Sequence, residues 1–142
     1  MEVVHMVIPY LTFCDNCEEA FKLYTSIFGG EIKFLSRFTV ETGGAALAGK
    51  VMHVEALVGD SVIAGADGGS PEELAQYNDA ICLMVHFLTR AEAERCFDAL
   101  AEGGQALRRL TPHPPPDDGG MGALVRDKFG YKWILTAPND QK

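Results

Sequence analysis

Apolar positions along this chain fall into two rhythms, one of period two and one of helical period, and they alternate in the same order twice. The run "MVIPYLTF" reads as an extended segment. Ala20, Phe21, Tyr24, Ile27 and Phe28 then recur at helical spacing. Asp15 is placed to cap that helix, with Glu18 at its third position, so each side chain can satisfy an orphan amide of the first turn. Gly29-Gly30 ends it by supplying the positive φ that a helix terminus favours. Three strand-like runs follow, at residues 31–39, 51–58 and 61–66.

The same punctuation returns 74 positions later, where Thr89 stands as a cap with Glu92 at the third position. Cys96, Phe97 and Leu100 form the apolar stripe and Gly103-Gly104 closes the helix. It follows the extended run "AICLMVHFL" and precedes three strand-like runs at 105–110, 121–125 and 131–136. Asp60 and "RDKFG" stand where tight hairpin turns belong. The apolar phase of the two helices slips by about one position when the caps are aligned, so the match lies in punctuation rather than in residues. Two caps, each fourteen residues ahead of a Gly-Gly, still argue for β-α-β-β-β written twice. The expected organisation is one compact α+β domain: residues 1–66 as the first repeat, 67–79 as a linker and 80–142 as the second repeat. One helical turn is expected at 71–77. "TPHPPPDDGGMG" holds four of the seven prolines and reads as a rim loop or a covered sheet edge.

At 142 residues, 47% of them hydrophobic, the chain can bury one core. A net charge of -8 excludes a nucleic-acid partner, because phosphates repel such a surface. The stretch from Val51 to Ala66 is interrupted by His53, Glu55 and Asp60, so no membrane span is expected. "MEVVH" lacks a basic region followed by an apolar run, so a cytoplasmic, reduced setting is expected. Cys14, Cys17, Cys82 and Cys96 are then free thiols rather than a disulfide framework. Cys14 and Cys17 form a Cys-x-x-Cys, a spacing used in redox enzymes and in zinc sites. A thioredoxin-like site would need a βαβ unit upstream and a proline-led strand later, and neither is present. A four-cysteine zinc site needs a second close pair, whereas Cys82 and Cys96 are fourteen apart.

The doubled pattern, with "NCEEAFKLYTSIFGG", "VMHVEALVGDSVI" and "GALVRDKFGYKWIL", resembles the vicinal oxygen chelate superfamily, the group of glyoxalase I, bleomycin-resistance proteins and extradiol dioxygenases. Within it the chain is most similar to the PhnB-like branch, over residues 5–136. The resemblance implies a glyoxalase-like fold in which curled, antiparallel-rich sheets surround a cup, a small-molecule ligand in that cup, and a homodimer. It also implies that Cys17 is a helix-start residue facing the core.

Metal-dependent members of that superfamily place a ligand on the first and on the last strand of each repeat. By that correspondence the positions here are Ile8, Cys82, Ile134 and either Ala64 or Gly65, with Asp67 the nearby carboxylate. Isoleucine has no lone pair to offer, so no metal and no other cofactor is expected. Alternation along the strands instead selects candidate ligand-binding residues. Val51, His53, Glu55 and Leu57 are expected on one face of their strand, where His53 and Glu55 are candidates for an acid–base pair or an unorthodox metal site, against the plainer reading of a polar pair on a solvated sheet face or dimer rim. Met52, Val54, Ala56 and Val58 are expected against a helix. Cys82, Met84 and His86 share a face, matched by Ile8, Tyr10 and Thr12 in the first repeat. Tyr10 offers a hydroxyl, and Arg37 a charge for a substrate anion.

The expected function is therefore small-molecule binding without the superfamily's metal, compatible with metal-independent catalysis. The competing readings are a metal-dependent lyase or dioxygenase with ligands drawn from His53, Glu55 and His86, and sequestration of an antibiotic. Methyl transfer, a label some PhnB-like proteins carry, is not expected: the chain has no glycine-rich strand-to-helix loop to cradle a nucleotide cofactor.

Overall fold

A computed structural model describes residues 5–77 and 79–141; Asn78, inside the expected linker, lies outside the described residues. The chain divides into two compact units, Met1–Leu74 and Ala75–Lys142. No helix among the described residues is long and apolar enough to cross a membrane.

In the first unit the elements are β1 (Tyr10–Thr12), α1 (Cys17–Phe28), β2 (Gly30–Arg37), α2 (Val40–Leu47), β3 (Val51–Val58) and β4 (Ser61–Ala66). They build an open sheet of order β1-β4-β3-β2. β1 runs parallel to β4, while β4, β3 and β2 are joined antiparallel. A short helix, α3 (Pro71–Tyr77), forms at the expected turn.

The second unit comprises β5 (Cys82–His86), α4 (Arg90–Ala101), β6 (Gln105–Pro112), β7 (Gly120–Arg126) and β8 (Lys132–Pro138). Its sheet has the same plan, β5-β8-β7-β6, with β5 parallel to β8. The duplicated β-α-β-β-β order is thus present, with α2 inserted in the first copy. Both sheets are open and mixed, each carrying one parallel pair at an edge.

One face of each sheet is apolar because a helix covers it. In the first unit Cys17, Ala20, Phe21 and Tyr24 of α1 are fully buried, as is Val54 of β3. Phe13 and Phe21 meet edge to face at 6.1 Å, and Phe21 and Tyr24 at 6.0 Å. In the second unit Ala93, Leu100, Ala123, Val125 and Leu135 are fully buried. Each large side chain so buried contributes about 1.5–3 kcal/mol.

The two helix starts differ. Thr89 caps α4 as its spacing predicts, accepting the Glu92 N–H. Asp15 does not cap α1: the N-cap is Asn16, without a side-chain cap bond. The Cys17 N–H is taken instead by Asp67 Oδ1 at 2.9 Å, a partner fifty residues away. α2 was not expected from the sequence. Thr39 and Thr42 form a reciprocal capping box at its start, and Gly44 (φ 73, ψ 175) breaks it into two pieces.

Candidate functional site

Two irregularities decide which side chains reach the open face of the first sheet. The register passes from Arg37↔Val51 to Ser36↔His53, so Met52 is an extra residue on β3. This bulge turns Val51 toward the helix, where it is 1% exposed, and turns Met52 outward. The expected faces of β3 are therefore corrected at those two positions and kept from His53 to Val58. A second bulge, at Lys33, passes the register from Ile32↔Ala56 to Phe34↔Glu55. It sets Phe34 opposite Glu55.

The result is a row across all four strands, Tyr10–Ala64–Glu55–Phe34, with His53 and Ser36 paired beside it. Paired residues share a face, so Tyr10, His53, Glu55, Phe34 and Ser36 all stand on the side away from α1. Leu11, between Tyr10 and Thr12, is buried on the other side. Tyr10 and Phe34 are each 51% exposed. The His53 ring stacks on Tyr10 at 5.6 Å and 20° and meets Phe34 at 5.9 Å.

Polar contacts run through the same group. The Tyr10 hydroxyl and His53 Nδ1 are 3.1 Å apart. On the other side of the ring, Nε2 faces Glu55 Oε2 at 3.5 Å, a distance for charge attraction rather than for a hydrogen bond. A carboxylate offers acceptors alone, so in the tautomer that carries its proton on Nε2 the ring presents Nδ1 to accept from the phenol. The phenol holds its proton firmly. Partial burial, then the neighbouring Cys17 and Glu55, push Tyr10 above its ordinary value.

The remaining candidates lie elsewhere. Arg37 belongs to a different feature: its Nη2 donates to both Glu18 oxygens at 3.0 Å and its Nη1 to the Gly49 carbonyl at 3.2 Å. It lines an open cleft of about 580 Å³ at the start of α1, with Glu18, Lys22, Lys50 and Asp67. In this cleft Arg37 and Lys22 already pair with Glu18.

Cys82 and His86 stand on β5 of the second unit, opposite Lys132 and Thr136. Nδ1 of His86 is hydrogen-bonded to the Thr136 hydroxyl. Thr136 is paired in turn with Gly122, over which His113 lies; a Cβ at Gly122 would come within 2.6 Å of His113 Nε2. The proline-rich segment thus brings a histidine back onto its own sheet.

No disulfide joins the four cysteines, all of them among the described residues. Burial first, then the Asp67 and Glu18 charges, push the Cys17 thiol up to about 12, and burial likewise raises Cys96. Such thiols are poor nucleophiles and poor ligands.

The metal that the superfamily's architecture implies does not fit the donors present. Ala64 faces the open side of the first sheet and Ile134 pairs with Met84 in the second. Asp67 is buried with Oδ1 on the Cys17 N–H and Oδ2 on the Val51 N–H, so both oxygens are occupied. Among the described residues no three or more His, Cys, Asp or Glu side chains converge on one point.

A family model described as "3-demethylubiquinone-9 3-methyltransferase" matches residues 5–136. Among solved structures, a PhnB protein from Bacillus cereus is 26% identical with a TM-score of 0.78, covering 94% of this chain and 99% of that one. Protein PA1353 from Pseudomonas aeruginosa is 28% identical with a TM-score of 0.77, over 96% and 100%. FosX, a fosfomycin resistance protein from Listeria monocytogenes solved with Mn(II) and sulfate, is 14% identical with a TM-score of 0.64, over 99% and 97%, a likeness of fold alone. No curated protein matches. The methyl donor implied by the family's description finds no cradle: the loop from β1 to α1, "FCDN", contains no glycine, and neither sheet is the doubly wound parallel type.

Proposed function

The chain belongs to the family described as 3-demethylubiquinone-9 3-methyltransferase, the PhnB-like branch of the vicinal oxygen chelate superfamily, and from that premise we propose that it binds a small amphipathic molecule on the open face of its first sheet, without the superfamily's metal. The observation that carries this reading is the His53 ring held between Tyr10 and Phe34, with two half-exposed aromatic surfaces and a carboxylate around it. Aromatic walls with a few fixed polar groups are the usual composition of small-molecule sites. Exposed rings give apolar contact, and Tyr10, His53 and Glu55 fix orientation. The second unit supports a homodimer by exposing Ile81 (74%), Met84 (68%) and Leu88 (84%), apolar area that a partner copy would cover; light scattering on purified protein measures its mass.

The test is a fragment titration of isotope-labelled protein by NMR with a chelator present, using small aromatic carboxylates and carbonyl compounds. Saturable shifts centred on Tyr10, Phe34 and His53 are expected, weakened about fivefold by Phe34→Ala, since one aromatic contact contributes about 1 kcal/mol. Binding that requires added divalent metal and disappears in His53→Ala would replace this reading with the metal-dependent one.

A further inference from the structure

The same three side chains that would orient a ligand also form a chain of polar contacts. The Glu55 carboxylate faces one nitrogen of His53 at 3.5 Å, and the other nitrogen is 3.1 Å from the Tyr10 hydroxyl. The order acid–imidazole–hydroxyl is the arrangement that activates an oxygen elsewhere in enzymology, with the carboxylate placing the imidazole proton and the imidazole drawing on the hydroxyl. Here the terminal oxygen is a phenol, more acidic than a serine hydroxyl, but partial burial and then the Cys17 and Glu55 charges raise it above its ordinary value, so it parts with its proton only as another is delivered to it. Tyr10 is half exposed, on β1 at the sheet edge.

The backbone fixes this geometry. Tyr10 and Glu55 lie in one register row with Ala64 between them, and the small Ala64 side chain leaves room for both. His53, two residues before Glu55 on the same face, leans across toward β1 rather than toward solvent and stacks on the Tyr10 ring. Phe34 closes the opposite side.

We propose that Tyr10 is the reactive oxygen of a Glu55–His53–Tyr10 relay. His53 Nδ1 takes the phenol proton as the Tyr10 oxygen accepts a proton from an O–H or S–H of the bound molecule. The bond broken on the ligand is that O–H or S–H, the bond formed is a new phenol O–H, and the original phenol proton ends on Nδ1. The imidazolium so formed is stabilised by the Glu55 carboxylate, and the ligand is left as an enolate or thiolate ready to react. Tyr10 is the catalytic residue, His53 its base and Glu55 a positioning residue. The substrate class is a small amphipathic enol or thiol. This rests on the binding reading above for its substrate, but the reactivity of the oxygen can be measured without one.

The probe is phenylmethanesulfonyl fluoride, which a base-assisted phenol attacks at sulfur: the O–S bond forms, S–F breaks, fluoride leaves, and the proton passes to His53. Peptide mass spectrometry follows which tyrosine is sulfonylated and how fast. Tyr10 is expected to react first, with its rate falling about 100-fold in His53→Ala, the scale of general-base assistance. Nitrogen-15 shifts of His53 are expected to show the proton on Nε2, and Glu55→Gln to move it toward Nδ1, with Glu55→Asp restoring it in part. A merely structural Glu55 would not move that equilibrium. Unchanged Tyr10 labelling in folded His53→Ala, or a wild-type His53 protonated on Nδ1, would overturn the relay. Saturable fragment binding with His53-independent labelling would overturn the relay and leave the binding reading standing. His53-dependent labelling with no saturable binding would do the reverse.

Discussion

The Asp67 carboxylate accepts the backbone N–H groups of Cys17 and Val51, each at 2.9 Å, and so ties the first turn of α1 to the first residue of β3. Both donor residues are buried. Leaving buried amides without acceptors costs about 1–3 kcal/mol each. Asp67→Ala is therefore expected to lower unfolding free energy by about 2–4 kcal/mol, read as a lower urea midpoint. Asn keeps one acceptor and is expected to fall between Ala and wild type. A loss under about 0.5 kcal/mol would show that the tie carries no stability.

The two glycines that end α1 are not equivalent. A Cβ at Gly30 would lie 2.0 Å from the Leu57 carbonyl oxygen, with φ at 110°, whereas at Gly29 (φ 82) nothing lies within 4 Å. Gly29→Ala is expected to cost about 1 kcal/mol for the left-handed conformation alone. Gly30→Ala is expected to cost about 3 kcal/mol or more, because β2 must move off β3. Denaturant titration of the two variants side by side checks the order. Equal losses would contradict it.

Cys17 gives the fold an alkaline limit. Its thiol is pushed from 9.0 up to about 12 in the folded chain, so above pH 9 the unfolded state releases its proton more readily than the folded one. Stability from this group is full below pH 9 and declines as pH climbs toward 12. Thermal midpoints are expected to fall over that interval, and less steeply in Cys17→Ala. Iodoacetamide at neutral pH is expected to spare Cys17 and Cys96, both buried, and to reach the half-buried Cys14.

Arg37 is expected to matter little to ligand binding. Its partner Glu18 is held below the usual carboxylate range chiefly by the Arg37 hydrogen bonds, and the pair is partly exposed. That contribution is present above the ordinary carboxylate value and fades as pH falls through the lowered one. Arg37→Ala is expected to cost less than about 1 kcal/mol, less still at high salt. Fragment affinity at Tyr10 should not change; a loss there would link the α1 cleft to the open face.

Punctuation carried most of the fold. The Gly-Gly stops, the Thr89 cap and the helical turn at 71–77 are local chemistry, and each is found where the spacing puts it. α2 escaped notice because "ETGGAAL" spends two of its seven residues on glycine, and its capping box uses Thr42 where a Glu would be the familiar signal. In the sequence Asp67 is only a lone carboxylate near a metal position, since no local pattern shows a partnership fifty residues long. For the site, alternation placed Tyr10, His53 and Glu55 on compatible faces. It missed Phe34, because the bulge at Lys33 shifts the phase of β2 by one residue, and a bulge has no reliable mark in a sequence.

A crystal soaked with the strongest fragment from the titration, in the presence of chelator, addresses the central claim most directly. The account expects density for the fragment against the rings of Tyr10, Phe34 and His53, with a ligand oxygen or sulfur within hydrogen-bond distance of the Tyr10 hydroxyl. A fragment seated in the cleft beside Arg37, or bound through a coordinated cation, would contradict it.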